Sequence, residues 1–278
     1  MVIGIAVGVL VLAGVGVFFT LSKSPEPAKS TPPDQTAATP RPTPPAPVAP
    51  KPAAGLQNCR ALWTFDDGGG SIAVDHSGAR NNAILSGRGA NWSNESKVGT
   101  GSLSLTRESF AQASGPVVNT AESFTAAAWV KFDTMTEGNN QTLLSIDGEN
   151  VSGFYLQLHS THGERVLVFN RHPTDDIAAI PILAKASANS SIGVWYHVTG
   201  VYDADAKTMS LYVNGRLQQT TPCPTGWQAK GDTAIGRGLY HGKNVDFVTG
   251  LIDDARIYNV ALHADQIEAI VAARNGNQ

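Results

Sequence analysis

From residue 61 to residue 258 the chain is cut into short apolar or alternating runs, and turn residues stand between them. The runs are residues 61–65, 102–105, 124–132, 141–146, 154–159, 166–169, 195–202, 209–213, 233–235 and 247–258. Each has the length and period of a strand rather than of a helix. Asp67-Gly68-Gly69-Gly70, Asp147-Gly148 and Asp203-Ala204-Asp205 punctuate them. Asn214-Gly215, between Leu211-Tyr212-Val213 and Arg216-Leu217, is the signature of a type I′ hairpin, because both residues tolerate positive φ. The pattern predicts an antiparallel all-β sandwich. One helix is expected, over residues 264–274. Ile267, Ile270 and Val271 share a face there, and Asn275-Gly276 ends the run. His263 is a poor N-cap, and Asp265 compensates through the helix dipole.

The first 57 residues are of another kind. Residues 1–21 contain no charged side chain. As a helix they span roughly 31 Å, close to a bilayer core of about 30 Å. This predicts an uncleaved transmembrane anchor; a cleaved signal peptide and a buried core helix are the alternatives. Of the 16 prolines, 11 fall between Pro25 and Pro52. Residues 22–57 are therefore expected to be a disordered Pro-rich linker. Residues 58–278 form the globular domain. The segment before residue 58 carries +2, which leaves −5 on the domain, given the total of −3. An acidic domain, in a chain whose sequence pI is near 6.1, argues against nucleic acid as a partner. The expected setting is a single-pass membrane protein whose domain lies outside the cell or in the periplasm. Cys59 and Cys223 are the only cysteines, and each flanks a turn. An even count in an exported domain predicts a disulfide between them; two free thiols are the alternative.

Five ordered motifs carry a resemblance. They are Trp63-Thr64-Phe65-Asp66-Asp67-Gly68, then Asp75-His76-Ser77-Gly78 with Asn81-Asn82-Ala83, and Phe124-Thr125-Ala126-Ala127-Ala128-Trp129-Val130-Lys131. Trp195-Tyr196-His197-Val198 and Leu251-Ile252-Asp253-Asp254 complete the set. Together they resemble the laminin-G-like, concanavalin A-like lectin/glucanase jelly-roll family, over residues 60–272. The departures are Asp67, where the family has Glu, and an enlarged loop over residues 173–191. The resemblance implies a two-sheet jelly roll in which the first strand and a late strand are neighbours. It also implies a structural calcium held by Asp66 and Asp253, with Asp67 and Gly70 as contributors. The alternative for these acids is structural: Asp66 opens a turn, and Asp253 pairs with Arg256 or caps a backbone group.

Catalytic patterns are weak. A retaining glycosidase needs two carboxyl groups about 5–5.5 Å apart. Glu137, Glu149 and Glu164 are isolated, and adjacent Asp175 and Asp176 point apart on an extended chain. His159-x-x-His162 reads as strand running into a turn, a surface pair rather than a zinc site. No Gly-x-Ser-x-Gly turn is present. Sugar recognition needs an aromatic face beside amide and charged groups. Trp227 and Tyr240, with Asn170, Arg171, His172 and Arg237, are the loop residues that offer one. The expected function is a membrane-tethered, non-catalytic module that recognises a glycan or a cell-surface protein. A structural accessory domain of the cell envelope is the alternative, and a glycoside hydrolase-like enzyme the lesser one.

Overall fold

The computed structural model describes residues 57–106 and 108–272. The expected anchor, and the expected linker apart from Gln57, lie outside the described residues. Among the described residues no helix is long and apolar enough to cross a membrane.

In chain order the strands are β1 (Cys59–Trp63), β2 (Ile72–Ala73), β3 (Ala83–Ser86), β4 (Asn91–Ser93), β5 (Ser102–Leu105) and β6 (Phe110–Ala113). Next come β7 (Phe124–Phe132), β8 (Gln141–Asp147), β9 (Ser152–Thr161), β10 (Glu164–Arg171), β11 (Ile182–Lys185) and β12 (Trp195–Asp203). Then follow β13 (Thr208–Val213), β14 (Arg216–Pro222), β15 (Thr233–Ile235), β16 (Gly238–Tyr240), β17 (Lys243–Val245) and β18 (Gly250–Tyr258), before helix α1 (Ala264–Ala272). The first sheet has the order β14-β13-β12-β7-β18-β5-β4, with β1 also paired to β18. The second has the order β11-β10-β9-β8-β15-β6-β3-β2, and β16 and β17 form a separate ribbon.

Every pairing between named strands is antiparallel. Ala126, Ala128 and Val130 of the first sheet share one buried cluster with Phe154, Leu156 and Leu158 of the second. Period two thus puts one face of each sheet into a common core, as a jelly-roll sandwich requires. Phe124 lies 4.9 Å from Phe154 and 6.0 Å from Phe169, ring centre to ring centre. Gly200 permits this packing, because a Cβ there would fall 2.4 Å from the Phe169 ring.

The expected hairpin forms: Asn214 and Gly215 have φ of 52° and 79°. Helix α1 buries Ile267 and Ile270 against Leu62, Val201 and Tyr258, on the outer face of the first sheet. Each isoleucine contributes roughly 1.5–3 kcal/mol by leaving water. The weak His263 cap is rescued from below, since Gln266 Oε1 accepts the His263 N–H at 3.0 Å.

The expected disulfide is corrected. Cys59 and Cys223 are free and buried. Cys223 lies in the inter-sheet core, whereas Cys59 packs in the cluster under α1. The cause is a register shift in β1 between Cys59 and Ala61. Ala61 and Trp63 then face the core and Cys59 does not. Each thiol instead donates to a carbonyl two residues on, Ala61 O at 3.2 Å and Thr225 O at 3.6 Å. Burial pushes the Cys59 thiol up to about 11.

Candidate functional site

Two places draw on the residues singled out in the sequence. The first is the seam between β1 and β18, where Trp63 pairs with Ala255. Asp66 and Asp253 both point at the loop over residues 97–101. Asp253 Oδ2 accepts the N–H of Lys97 at 2.7 Å and of Val98 at 2.8 Å. Asp66 Oδ1 accepts the N–H of Gly101 at 2.9 Å, together with the N–H and hydroxyl of Thr100. The two acids therefore hold one loop by its backbone donors. Asp67 and Gly70 are engaged elsewhere: Asp67 Oδ1 accepts from Val74 N, and the Gly70 carbonyl accepts from Trp92 Nε1. Arg256 forks onto Asp254 at 2.9–3.1 Å, not onto Asp253.

The suitability of this seam for calcium turns on one atom. Asp253 Oδ1 is buried with no hydrogen-bond partner. Burial, then the nearby Asp254 and Asp66 carboxylates, raise Asp253 to about 7 against the pull of the two N–H donors. Such an oxygen is what a hard cation satisfies. Among the described residues no three acidic, His or Cys side chains converge on one point. A cation here would draw its remaining ligands from carbonyls.

The second place is a groove on the outer face of the second sheet. On β9, Phe154, Leu156 and Leu158 face the core, and the alternate residues Tyr155, Gln157 and His159 face the groove. Asn170 of β10 stands opposite Tyr155 in the ladder. The loop after β10 supplies His172, Ile177, Ala179 and Pro181 as one wall. Tyr240, Val245 and Asp246, from the ribbon and the residue after it, form the other. The groove holds about 340 Å³, within the range of small-ligand sites.

Its polar groups are linked. Gln157 Nε2 donates to Asp246 Oδ2 at 2.9 Å and to Thr142 Oγ1 at 3.0 Å, and Gln157 Oε1 faces His159 Nε2 at 2.9 Å. His172 Nδ1 lies 3.0 Å from the Ala179 carbonyl. Tyr155 and Tyr240 rings each lie 6.2 Å from the His172 ring. Burial lowers both histidines and raises Asp246.

The structure thus gathers Tyr240, Asn170 and His172, and adds Gln157 and Asp246, which the sequence does not single out, and His159, which the sequence presents as half of a surface pair with His162. It sets three expected residues apart. Arg171 is 1% exposed, lies between the sheets 4.0 Å from the Tyr202 ring, and donates to the carbonyls of Gly153 and Thr120. Arg237 is 2% exposed and forks onto Asp147. Trp227 lines a separate hollow of about 430 Å³ with Asp175, Glu149 and Lys230. Its indole N–H is spent on the His172 carbonyl at 2.9 Å. Of the two acids in that hollow, Asp175 is also spent, because it accepts the backbone N–H groups of Glu149, Asn150 and Val151.

Comparison with known proteins fits this layout. The family model Laminin_G_3, described as the concanavalin A-like lectin/glucanases superfamily, matches residues 105–268. The chain belongs to this superfamily. The human pentraxin-related protein PTX3 is 31% identical over 100 residues, which are 36% of this chain and 23% of that protein; the mouse protein matches equally. The chain therefore spans under a quarter of the length of these curated relatives. Domain 4 of AbnA, a GH43 extracellular arabinanase from Geobacillus stearothermophilus solved with arabinotriose, is 19% identical, with a TM-score of 0.60 over 77% of this chain and 98% of that one. The binding domain of botulinum neurotoxin DC, solved with rat synaptotagmin II, is 14% identical, with a TM-score of 0.58 over 78% of this chain and 51% of that one. These likenesses establish a lectin-like jelly-roll fold for this member of the superfamily.

Proposed function

We propose that the domain is a non-catalytic recognition module and that the groove over β9 and β10 binds a glycan. The carrying observation is the groove's make-up. Tyr240 offers a ring at the rim, with Tyr155 and His172 more buried in the lining, and His159, Asn170 and Asp246 offer hydrogen-bonding groups within the same concavity, held in place by Gln157. A pyranose or furanose needs both, since its C–H faces are apolar and its rim is polar. Asp246 is the one carboxylate among the residues lining the groove. Acid–base cleavage of a glycosidic bond by the two-carboxylate route takes a pair. The arabinotriose complex of AbnA domain 4 supports a sugar as ligand, and the synaptotagmin complex of the neurotoxin domain shows a protein partner on the same fold.

Calorimetric titration of the full chain with oligosaccharides tests this reading. Tyr240 is 37% exposed at the rim, so Tyr240→Ala removes a ring face without opening the core. The expected loss is about tenfold in affinity, about 1.4 kcal/mol. Unchanged affinity in that variant, or no sugar bound at millimolar concentration, would count against the groove.

A second proposal concerns the seam. The unpartnered Asp253 Oδ1, with Asp66 on the same loop, fits a structural calcium that braces β1 against β18.

A further inference from the structure

We propose that the groove selects an uncharged, hydroxyl-rich sugar and discriminates against anionic and cationic glycans. This deepens, and rests on, the reading of the groove as a glycan site. The inference comes from which groups are left to act as donors and which as acceptors.

His172 Nδ1 faces the Ala179 carbonyl, and a carbonyl only accepts, so Nδ1 carries the proton. In the neutral ring Nε2 is then an acceptor. His159 obeys the same logic. Its Nε2 faces Gln157 Oε1, while the amide nitrogen of Gln157 donates to Thr142 and Asp246. Nε2 is therefore protonated, and Nδ1 is left as an acceptor. Burial keeps both rings neutral, with Lys185 adding to the effect at His159.

Asn170 is 7% exposed, and its Oδ1 has no partner. The oxygen is the buried end of the amide, so the Nδ2 group, to which the protein offers no acceptor, is the end left to donate to a ligand. Asp246 has one oxygen held by Gln157. The groups left to meet a ligand are therefore mixed: acceptors on His159, His172 and Asp246, donors on the Asn140 and Asn170 amides and the Tyr240 hydroxyl, and the one charged group among the lining residues is a carboxylate.

A ligand that satisfies such a mixed set must both donate and accept. Sugar hydroxyls do so. Sulfate, phosphate and carboxylate groups do not, and they would also meet Asp246 in a groove whose lining contains no Lys or Arg. An unpaired anion in a partly dry site is costly. An ammonium group donates, but it gives up strong hydration for one buried carboxylate that burial already pushes toward its neutral form. A neutral polyol fits without either cost.

The test uses the full chain and three matched ligand sets in calorimetry. These are neutral arabinan-, galactan- and glucan-derived oligosaccharides, the same oligosaccharides sulfated or oxidised to uronic acids, and their amino-sugar counterparts. The inference expects the neutral members to bind and each charged counterpart to bind at least tenfold more weakly. A charged counterpart that binds as well as, or better than, its neutral parent, and loses affinity in Tyr240→Ala, overturns the inference and leaves glycan recognition standing. Binding by none of the three sets removes the glycan reading, and the inference falls with it.

Discussion

Asp147→Ala should cost about 3–5 kcal/mol of folding stability, the usual result of removing one partner from a buried ion pair. Arg237 Nη1 and Nη2 reach Asp147 Oδ1 and Oδ2 at 2.8 and 2.9 Å. The pair is almost closed to water, with Arg237 2% and Asp147 8% exposed. The guanidinium also lies 4.8 Å from the Phe110 ring and donates to Gln112 Oε1. The nearby Asp232 carboxylate is already committed to Gln112 Nε2 and the Gly115 N–H, so it does not replace the lost partner. In a domain of this size the cost corresponds to a fall in melting temperature of roughly 10 °C. Asp147→Leu combined with Arg237→Met should recover most of the loss, because both buried charges then disappear. Urea denaturation of the two variants measures it. A single variant within about 1 kcal/mol of the parent would show that water reaches the pair.

Calcium should raise the melting temperature of the full chain, and EDTA should reverse the rise. At a free concentration one hundred times its dissociation constant the ion stabilises by about 2.7 kcal/mol. The pH dependence gives an independent sign. Asp253 has a folded-state pKa raised to about 7, so it holds a proton in the fold that the unfolded chain releases at lower pH. Without calcium, its contribution is complete at acid pH and is lost as the pH rises through about 7. Bound calcium favours the ionised form and removes that loss. Asp253→Ala should abolish the response to calcium, whatever its effect on the baseline. An unchanged melting curve with and without calcium eliminates the ion from the account.

The long strands were legible because each carries its own signal. Residues 124–132 match β7 to the residue, and Asn214-Gly215 forms its turn, because a long apolar run and a residue pair that tolerates positive φ are both local signals. Strands β2, β3, β4, β6, β16 and β17 were not legible. They have two to four residues each, too few to show a period, and their partners define them. The meeting of Asp66 and Asp253 on one loop followed from the resemblance and not from residue spacing.

The groove was half visible. Asn170, His172 and Tyr240 drew notice as polar or aromatic residues in loop-like segments, although Asn170 closes on a strand. Gln157 carries no chemistry of its own to draw the eye and His159 reads as a surface pair with His162, yet the signal that joins them to the groove is present. They alternate with Phe154, Leu156 and Leu158, so once those residues face the core the others must face out. The same parity places Arg171 with Leu167 and Phe169 on the inward side of β10. Arg237 could not be placed from sequence, since its acid lies 90 residues away. The disulfide expectation failed on a single bulge, which no composition argument detects.

The most direct test of glycan recognition by the outer face of the second sheet is a map of amide chemical shifts during titration with a bound neutral oligosaccharide. The account predicts that the perturbed amides cluster at residues 155–159, 170–172, 177–181 and 240–246. Perturbations confined to the Trp227 hollow, or to the loop over residues 97–101, would contradict it.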